Sequence, residues 1–292
     1  MHPLQDARLP AVWSIGSGRP KVLQRLRYAA GAVALHRLPA AERINGVWRA
    51  GGTLEYPPAL AVVCVCGLAA IVGLTASGAL SRSVSVGMAS VLVAALVLTY
   101  DRAGIAIGVT VGLVWARRLA GWRGMTAVAA AAGVAALVAA LAIAPGPLER
   151  LIVHDPLGGR WTLWREAWDA VRARPWTGYG PGGFARIYPA LSAPSGVTLG
   201  HDLAVQQAVE AGVGAALAAL ALIAAAIVRA ARGMTAADPA RLAFACIAFT
   251  LIISATYDFT WSYPPLALLA VVALAGAVRE PSGRERAVVG GA

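Results

Sequence analysis

Charge is what this chain has least of. Asp, Glu, Lys and Arg together make up 13% of its 292 residues, about half the share of a soluble domain. So few charges cannot clothe a water-facing surface, which excludes an ordinary soluble domain. Lysine is nearly missing, with Lys21 the sole example, so the net charge of +11 is almost entirely arginine. Those arginines flank apolar runs instead of forming one patch, which favours a membrane-topology signal over nucleic-acid binding. The three cysteines, Cys64, Cys66 and Cys246, all sit inside apolar runs. Cys64 and Cys66 are two apart, so they point in different directions on a helix. No disulfide framework or metal site follows. The four histidines (His2, His36, His154 and His201) share no ligand spacing, and no acidic cluster marks Mg²⁺ or Mn²⁺. A nucleophile elbow, a paired-carboxylate motif and a phosphate-loop signature are all missing. The expectation is a protein with no metal and no cofactor.

What the chain does have is apolar length. It is 59% hydrophobic, with a mean hydropathy of +0.67. Runs approaching the roughly 20 residues of a membrane span fall at Ala59–Ser77, Val84–Tyr100, Ala103–Ala116, Met125–Ala144, Leu203–Val228, Leu242–Tyr257 and Tyr263–Val278. The predicted fold is all-α: a polytopic transmembrane bundle of about seven spans. The expected organisation is an N-terminal interfacial segment over residues 1–58, four spans over 59–144, an outer loop over 145–202, three spans over 203–278 and a tail over 279–292. Met1–Pro58 contains no signal peptide and no full-length span. That predicts either upstream spans supplied elsewhere or a re-entrant N-terminal segment.

Arginine sets the orientation. The connector R-R-L-A-G-W-R from Arg117, the stretch Arg229–Arg241 and the tail with Arg279, Arg284 and Arg286 fall on one side if the spans alternate. That side is predicted to be cytoplasmic. The long polar segment then faces outward, and four polar clusters gather on the same side.

The first cluster is T-Y-D-R-A-G from Thr99, where Arg102 reads alone as an interfacial anchor and Gly104 lets backbone approach a ligand. The second is G-G-R-W-T-L-W-R-E-A-W-D-A-V-R-A-R-P from Gly158. It predicts an amphipathic helix with Trp161, Trp164 and Trp168 on one face, lying on the membrane surface. A glycine-rich turn, T-G-Y-G-P-G-G-F, follows from Thr177. The third is T-L-G-H-D-L-A-V-Q-Q-A-V-E-A-G-V-G from Thr198, in which His201 and Asp202 open a span. Gln206, Gln207 and Glu210 would extend up to two turns into it, and a glutamate there is costly unless it faces protein or water. The fourth is A-T-Y-D-F-T-W-S-Y-P from Ala255, with Asp258 among aromatics. Singly, His201 is an interfacial histidine and Asp258 a turn residue. Together they offer one general base among arginines, which suits a phosphate-bearing substrate.

Four stretches in order resemble the O-antigen ligase and polymerase family: R-I-N-G-V-W from Arg43, T-Y-D-R-A-G from Thr99, the run from Gly159 to Phe184, and G-H-D-L…Q…E-A-G-V-G from Gly200. T-Y-D-F-T-W-S-Y-P from Thr256 is similar to that family's last outer turn. The resemblance implies a glycosyltransferase of the inner membrane with an outward-facing site. Such enzymes move a glycan from undecaprenyl diphosphate to a glycan, lipid or protein acceptor, without metal and with inversion. By motif position it assigns His201 as catalytic base and Arg102 and Arg160 to the substrate diphosphate. Arg174, Arg186, Glu210 and Asp258 become possible glycan or phosphate contacts. Three positions depart from the pattern. Asp202 stands where Asn is common, Asp101-Arg102-Ala103 where Ser-Arg-Gly is usual, and Pro58 where Asn often follows a proline. Carboxylates beside His201 and Arg102 are expected to raise the one's pKa and neutralise the other. The second reading is a truncated, inactive relative, or a non-enzymatic scaffold or transporter. A transporter would more often carry its polar groups at the midplane, whereas these gather at the outer boundary.

Overall fold

The computed structural model describes residues 41–44, 47–50, 54, 56–142, 160–187 and 200–278, with backbone alone for 41–49, 122 and 124–142. The expectations for residues 1–40 and 143–144, nearly half of the outer loop (145–159 and 188–199) and the tail (279–292) lie outside the described residues.

The described residues form nine α-helices and one antiparallel ribbon. The ribbon pairs β1 (Ala41–Ile44) with β2 (Val47–Ala50), Ile44 opposite Val47. The helices are α1 (Pro57–Ala76), α2 (Arg82–Leu98), α3 (Arg102–Ala142), α4 (Arg160–Ala173), α5 (Gly183–Ile187), α6 (Leu203–Ala211), α7 (Val213–Gly233), α8 (Pro239–Ser254) and α9 (Pro264–Val278). A single 3₁₀ turn, Thr260–Ser262, precedes α9. Apart from the ribbon the chain is the all-α membrane protein its composition predicts.

Local chemistry sets the ends of these helices. Pro57 and Pro58 open α1, where their missing N–H groups lose nothing. After Ala76 the chain turns through Gly78 at φ +78°, and Ala79 N donates to Leu74 O at 2.9 Å, an αL-type stop. Asp238 caps α8 by accepting from Arg241 N at 2.7 Å. At 20 residues α1 is about 30 Å long, the thickness of a bilayer core. Apolar stretches of similar length run over Arg102–Gly121 and Val213–Gly233, while α2, α8 and α9 are apolar but shorter.

Helices α1 and α8 form the centre. Ala61, Val65 and Ala69 of α1 are buried with Leu242, Cys246 and Ala248 of α8, joined by Val111 and Trp115 of α3. Small residues allow the close approach: a methyl on Gly73 would stand 2.7 Å from Ala243 Cβ, and one on Gly233 2.8 Å from Ala245 Cβ. All three cysteines are free and buried in this packing, as expected of small apolar residues.

Three of the expected spans come out differently. The third and fourth runs are joined by helix throughout, broken only at Gly121 (φ 60°, ψ −146°), so the basic connector from Arg117 is helical instead of a loop. The fifth run is divided at Gly212 (φ 89°, ψ 176°) into α6 and α7. Gln206, Gln207 and Glu210 therefore ride on a separate nine-residue helix that precedes the long apolar one. Hydropathy could not mark that break, because only glycine tolerates this backbone conformation and the flanking residues are apolar on both sides.

Candidate active site

Four chain segments converge at one end of the bundle, and each brings a polar group. Leu203 N donates to Ala255 O at 3.0 Å, tying the start of α6 to the end of α8. Tyr56, just before α1, donates its hydroxyl to Asp258 Oδ1 at 2.5 Å. Arg160, the first residue of α4, donates Nη2 to Asp258 Oδ2 at 2.9 Å. Phe259 N closes the turn onto Oδ1 at 2.6 Å. His201 Nδ1 faces the same Oδ1 at 3.5 Å.

Asp258 is thus the hub. It is fully buried, where desolvating a carboxylate costs several kcal/mol unless it is paired and hydrogen-bonded. Arg160, Tyr56 and Phe259 N supply that compensation. Burial, followed by the charge and hydrogen bond of Asp258, raises the Tyr56 hydroxyl well above the usual phenol range. Tyr56 is therefore a fixed donor. Burial and the carboxylates of Asp101 and Asp258 raise Tyr257 likewise. Its hydroxyl is buried, with no hydrogen-bond partner among the described residues.

The His201 ring is held by packing. It meets Phe259 edge-on at 4.7 Å between centroids, and Phe259 stacks on Tyr56 at 4.4 Å. The His201 backbone is left-handed, at φ 51°, a conformation uncommon outside glycine and often found at working sites. Tyr100, at φ 50°, is the other such residue among those described. Each stands immediately before an aspartate that caps a helix. Asp202 Oδ1 accepts from Val205 N at 2.9 Å, and Asp101 Oδ2 accepts from Gly104 N at 2.9 Å.

Both departures therefore serve as helix caps. Asp202 is occupied with the α6 amides, and the carboxylate in front of His201 is that of Asp258. Asp101 is buried and spends an oxygen on its own helix. Gly104 does not open a path to a ligand; a methyl there would stand 2.6 Å from Ala61 Cβ, so it lets α3 lie against α1. Arg102 follows Asp101 at this end and is exposed.

The remaining expected contacts separate from the hub. Arg174 lies over the Tyr179 ring at 4.8 Å, and Arg186 Nη2 donates to Tyr179 O at 2.8 Å and Pro181 O at 3.1 Å. Both hold the glycine-rich turn. Glu210 accepts from Gln206 Nε2, and Gln206 Oε1 accepts from Gly200 N at 2.7 Å. This chain of bonds steadies the residue before His201. The expected tryptophan face is also divided: Trp161 and Trp168 are more than half exposed, whereas Trp164 packs inward and donates Nε1 to Gly200 O at 2.9 Å.

Sequence reasoning missed Tyr56, Tyr257 and Phe259. The signal for Tyr257 was a repeat: T-Y-D occurs at Thr99–Asp101 and at Thr256–Asp258. In both, the threonine hydroxyl bonds back to a helix carbonyl (Thr99 to Leu96 O, Thr256 to Ile253 O) and the aspartate is buried. Beside the hub an apolar cleft of about 320 Å³ runs from Leu203 and Trp261 between α7, α8 and α9. Among the described residues no three His, Cys, Asp or Glu side chains come together to hold a metal ion.

The fold and this site define an all-α membrane protein with a buried ionic cluster at one end of its helices. Residues 87–220 match the family model described as O-antigen ligase. Over that stretch, from α2 through His201 into α7, the chain is similar to the O-antigen ligase family, as its motifs foretold. This supports a membrane glycosyltransferase of the ligase or polymerase type, with a lipid-linked glycan and an acceptor as partners in general terms. No curated protein shows significant sequence similarity to the chain.

Proposed function

We propose that this chain transfers a glycan from an undecaprenyl-diphosphate carrier to an acceptor hydroxyl, with inversion and without metal, at the outer face of the inner membrane. The observation that carries this reading is the convergence of His201, Asp258, Arg160 and Tyr56 at one end of apolar helices. His201 turns Nδ1 toward Asp258, which leaves Nε2 for the acceptor. As the acceptor oxygen attacks the anomeric carbon, Nε2 takes its proton, the bond from that carbon to the diphosphate oxygen breaks, and the diphosphate leaves on the carrier. Asp258 steadies the imidazolium formed in this step.

The arginines divide the remaining work. Arg160 is bound to Asp258, so its first task is to hold that carboxylate in place; its accessible edge can still meet an anion. Arg102, exposed at the N-terminal end of α3, is the better diphosphate ligand, helped by the helix dipole. The apolar cleft beside Leu203 supports a place for the isoprenoid chain. Trp161 and Trp168 suit head-group level at the membrane surface. Glycan and acceptor contacts through Arg174, Arg186 and Glu210 are secondary, since all three are engaged in holding the turn and α6.

The test is transfer from a purified polyprenyl-diphosphate oligosaccharide by the reconstituted chain. Loss of His201 is expected to slow transfer by about 10²–10⁴-fold, and EDTA is expected to leave it unchanged. Full activity in His201→Ala sinks the mechanism. Transfer abolished by EDTA and restored by a divalent cation sinks its metal independence.

A further inference from the structure

A second feature lies at the other end of α1. A cavity of about 850 Å³ opens between the last turns of α1, the start of α2, the end of the first apolar stretch of α3 and the turn before α8. The length of α1 separates it from Tyr56 by about 30 Å, so it sits at the opposite membrane surface. Its lining combines Arg82 and Arg118 with Ile71, Val72, Val86 and Trp115.

Three observations define what this cavity suits. Among the described residues no Asp or Glu lines it, and neither arginine makes an ion pair with any of them. Trp115 is only 4% exposed, yet its buried Nε1 has no hydrogen-bond partner among the described residues, although a buried indole N–H normally finds an acceptor. The rim is apolar and open, with Val86 66% and Leu119 61% exposed. Two guanidiniums and an indole N–H ask for an anion, and the open apolar walls ask for a chain attached to it. A free inorganic anion would satisfy only the first demand.

We propose that this cavity binds an anionic phospholipid of the adjacent leaflet. Arg82 and Arg118 hold the phosphate, and an acyl chain lies along Ile71, Val72 and Val86. The arginine bias assigns this side to the cytoplasm, where anionic head groups are abundant. The site is independent of the glycan-transfer reading and stands or falls without it.

The experiment uses the full chain in phosphatidylcholine nanodiscs containing a minor fraction of brominated phosphatidylglycerol or brominated phosphatidylcholine. The readout is quenching of the Trp115 share of fluorescence, taken as the difference between the parent and Trp115→Phe. The brominated anionic lipid is expected to quench this share preferentially. Arg82→Gln and Arg118→Gln, both at exposed positions, are each expected to lower that preference about fivefold. Millimolar inorganic phosphate is expected to leave it unchanged. Equal quenching by both lipids overturns the proposal, as does a preference that survives in the double variant. Loss of the preference to inorganic phosphate also overturns it, since the ligand is then a free anion.

Discussion

The most consequential residue is Asp258, which reads from the sequence as a turn residue and stands in the structure as a buried ionic hub. Removing Arg160 strands its carboxylate. Arg160→Ala is therefore expected to destabilise the chain by about 2–3 kcal/mol. Adding Asp258→Asn is expected to recover part of that loss, because the uncompensated charge is gone. Thermal unfolding of both single variants and the double variant measures the coupling; strictly additive losses would contradict the ion pair. At Asp202, burial raises the carboxyl above the usual range, partly opposed by the Val205 and Ala204 amides. The folded state then favours the neutral form. Its contribution is fully present below the unfolded value of about 3.9 and is lost as pH rises through the raised folded value. Asp202→Asn keeps an equally good cap and removes that loss. It is expected to leave stability near neutral pH unchanged or slightly raised, with a flatter acid profile. A sharp drop in stability or transfer would mean that the Asp202 charge has a role beyond capping.

At the scale of elements, the polar mouth before the fifth apolar run owes its form to Gly212. The break frees α6 from the long helix, and the glycine-rich turn fastens it there. Tyr179 N and Gly180 N donate to Val209 O and Glu210 O at 2.9 and 2.8 Å, and Val213 N donates to Pro175 O at 2.7 Å. A methyl on Gly212 would lie 2.5 Å from Trp176 O, and one on Gly178 2.5 Å from the Glu210 carbonyl carbon. Gly212→Ala is expected to destabilise by at least about 2 kcal/mol and to expose the turn to protease. Unchanged proteolysis would contradict the fastening.

Much of this architecture was legible. The apolar runs, the amphipathic α4 and the motif order each rest on local pattern, which composition and periodicity carry. Three features were not: the break at Gly212, the inward turn of Trp164 and the partnership of Tyr56 with Asp258. The first depends on backbone conformation, the second on which stripe of α4 meets α6, and the third on a contact 202 residues apart in sequence. The β-ribbon had a signal in Asn45-Gly46 between short strand-forming runs, but surrounding apolar helices dominated the pattern.

At the scale of the whole molecule, the account requires that the ionic hub and the arginine-lined cavity face opposite sides of the membrane. Trp176→Cys and Ser77→Cys place reporters near each end, both at exposed positions, against a background of three buried native thiols. A membrane-impermeant maleimide added to intact cells is expected to label Trp176→Cys alone. Labelling of both, or of Ser77→Cys alone, would contradict the topology. The most direct measurement remains single-turnover glycan transfer by the reconstituted chain, comparing the parent with His201→Gln at matched folded protein. The account predicts transfer by the parent and a loss of at least about 10²-fold in the variant; equal rates in the two would contradict it.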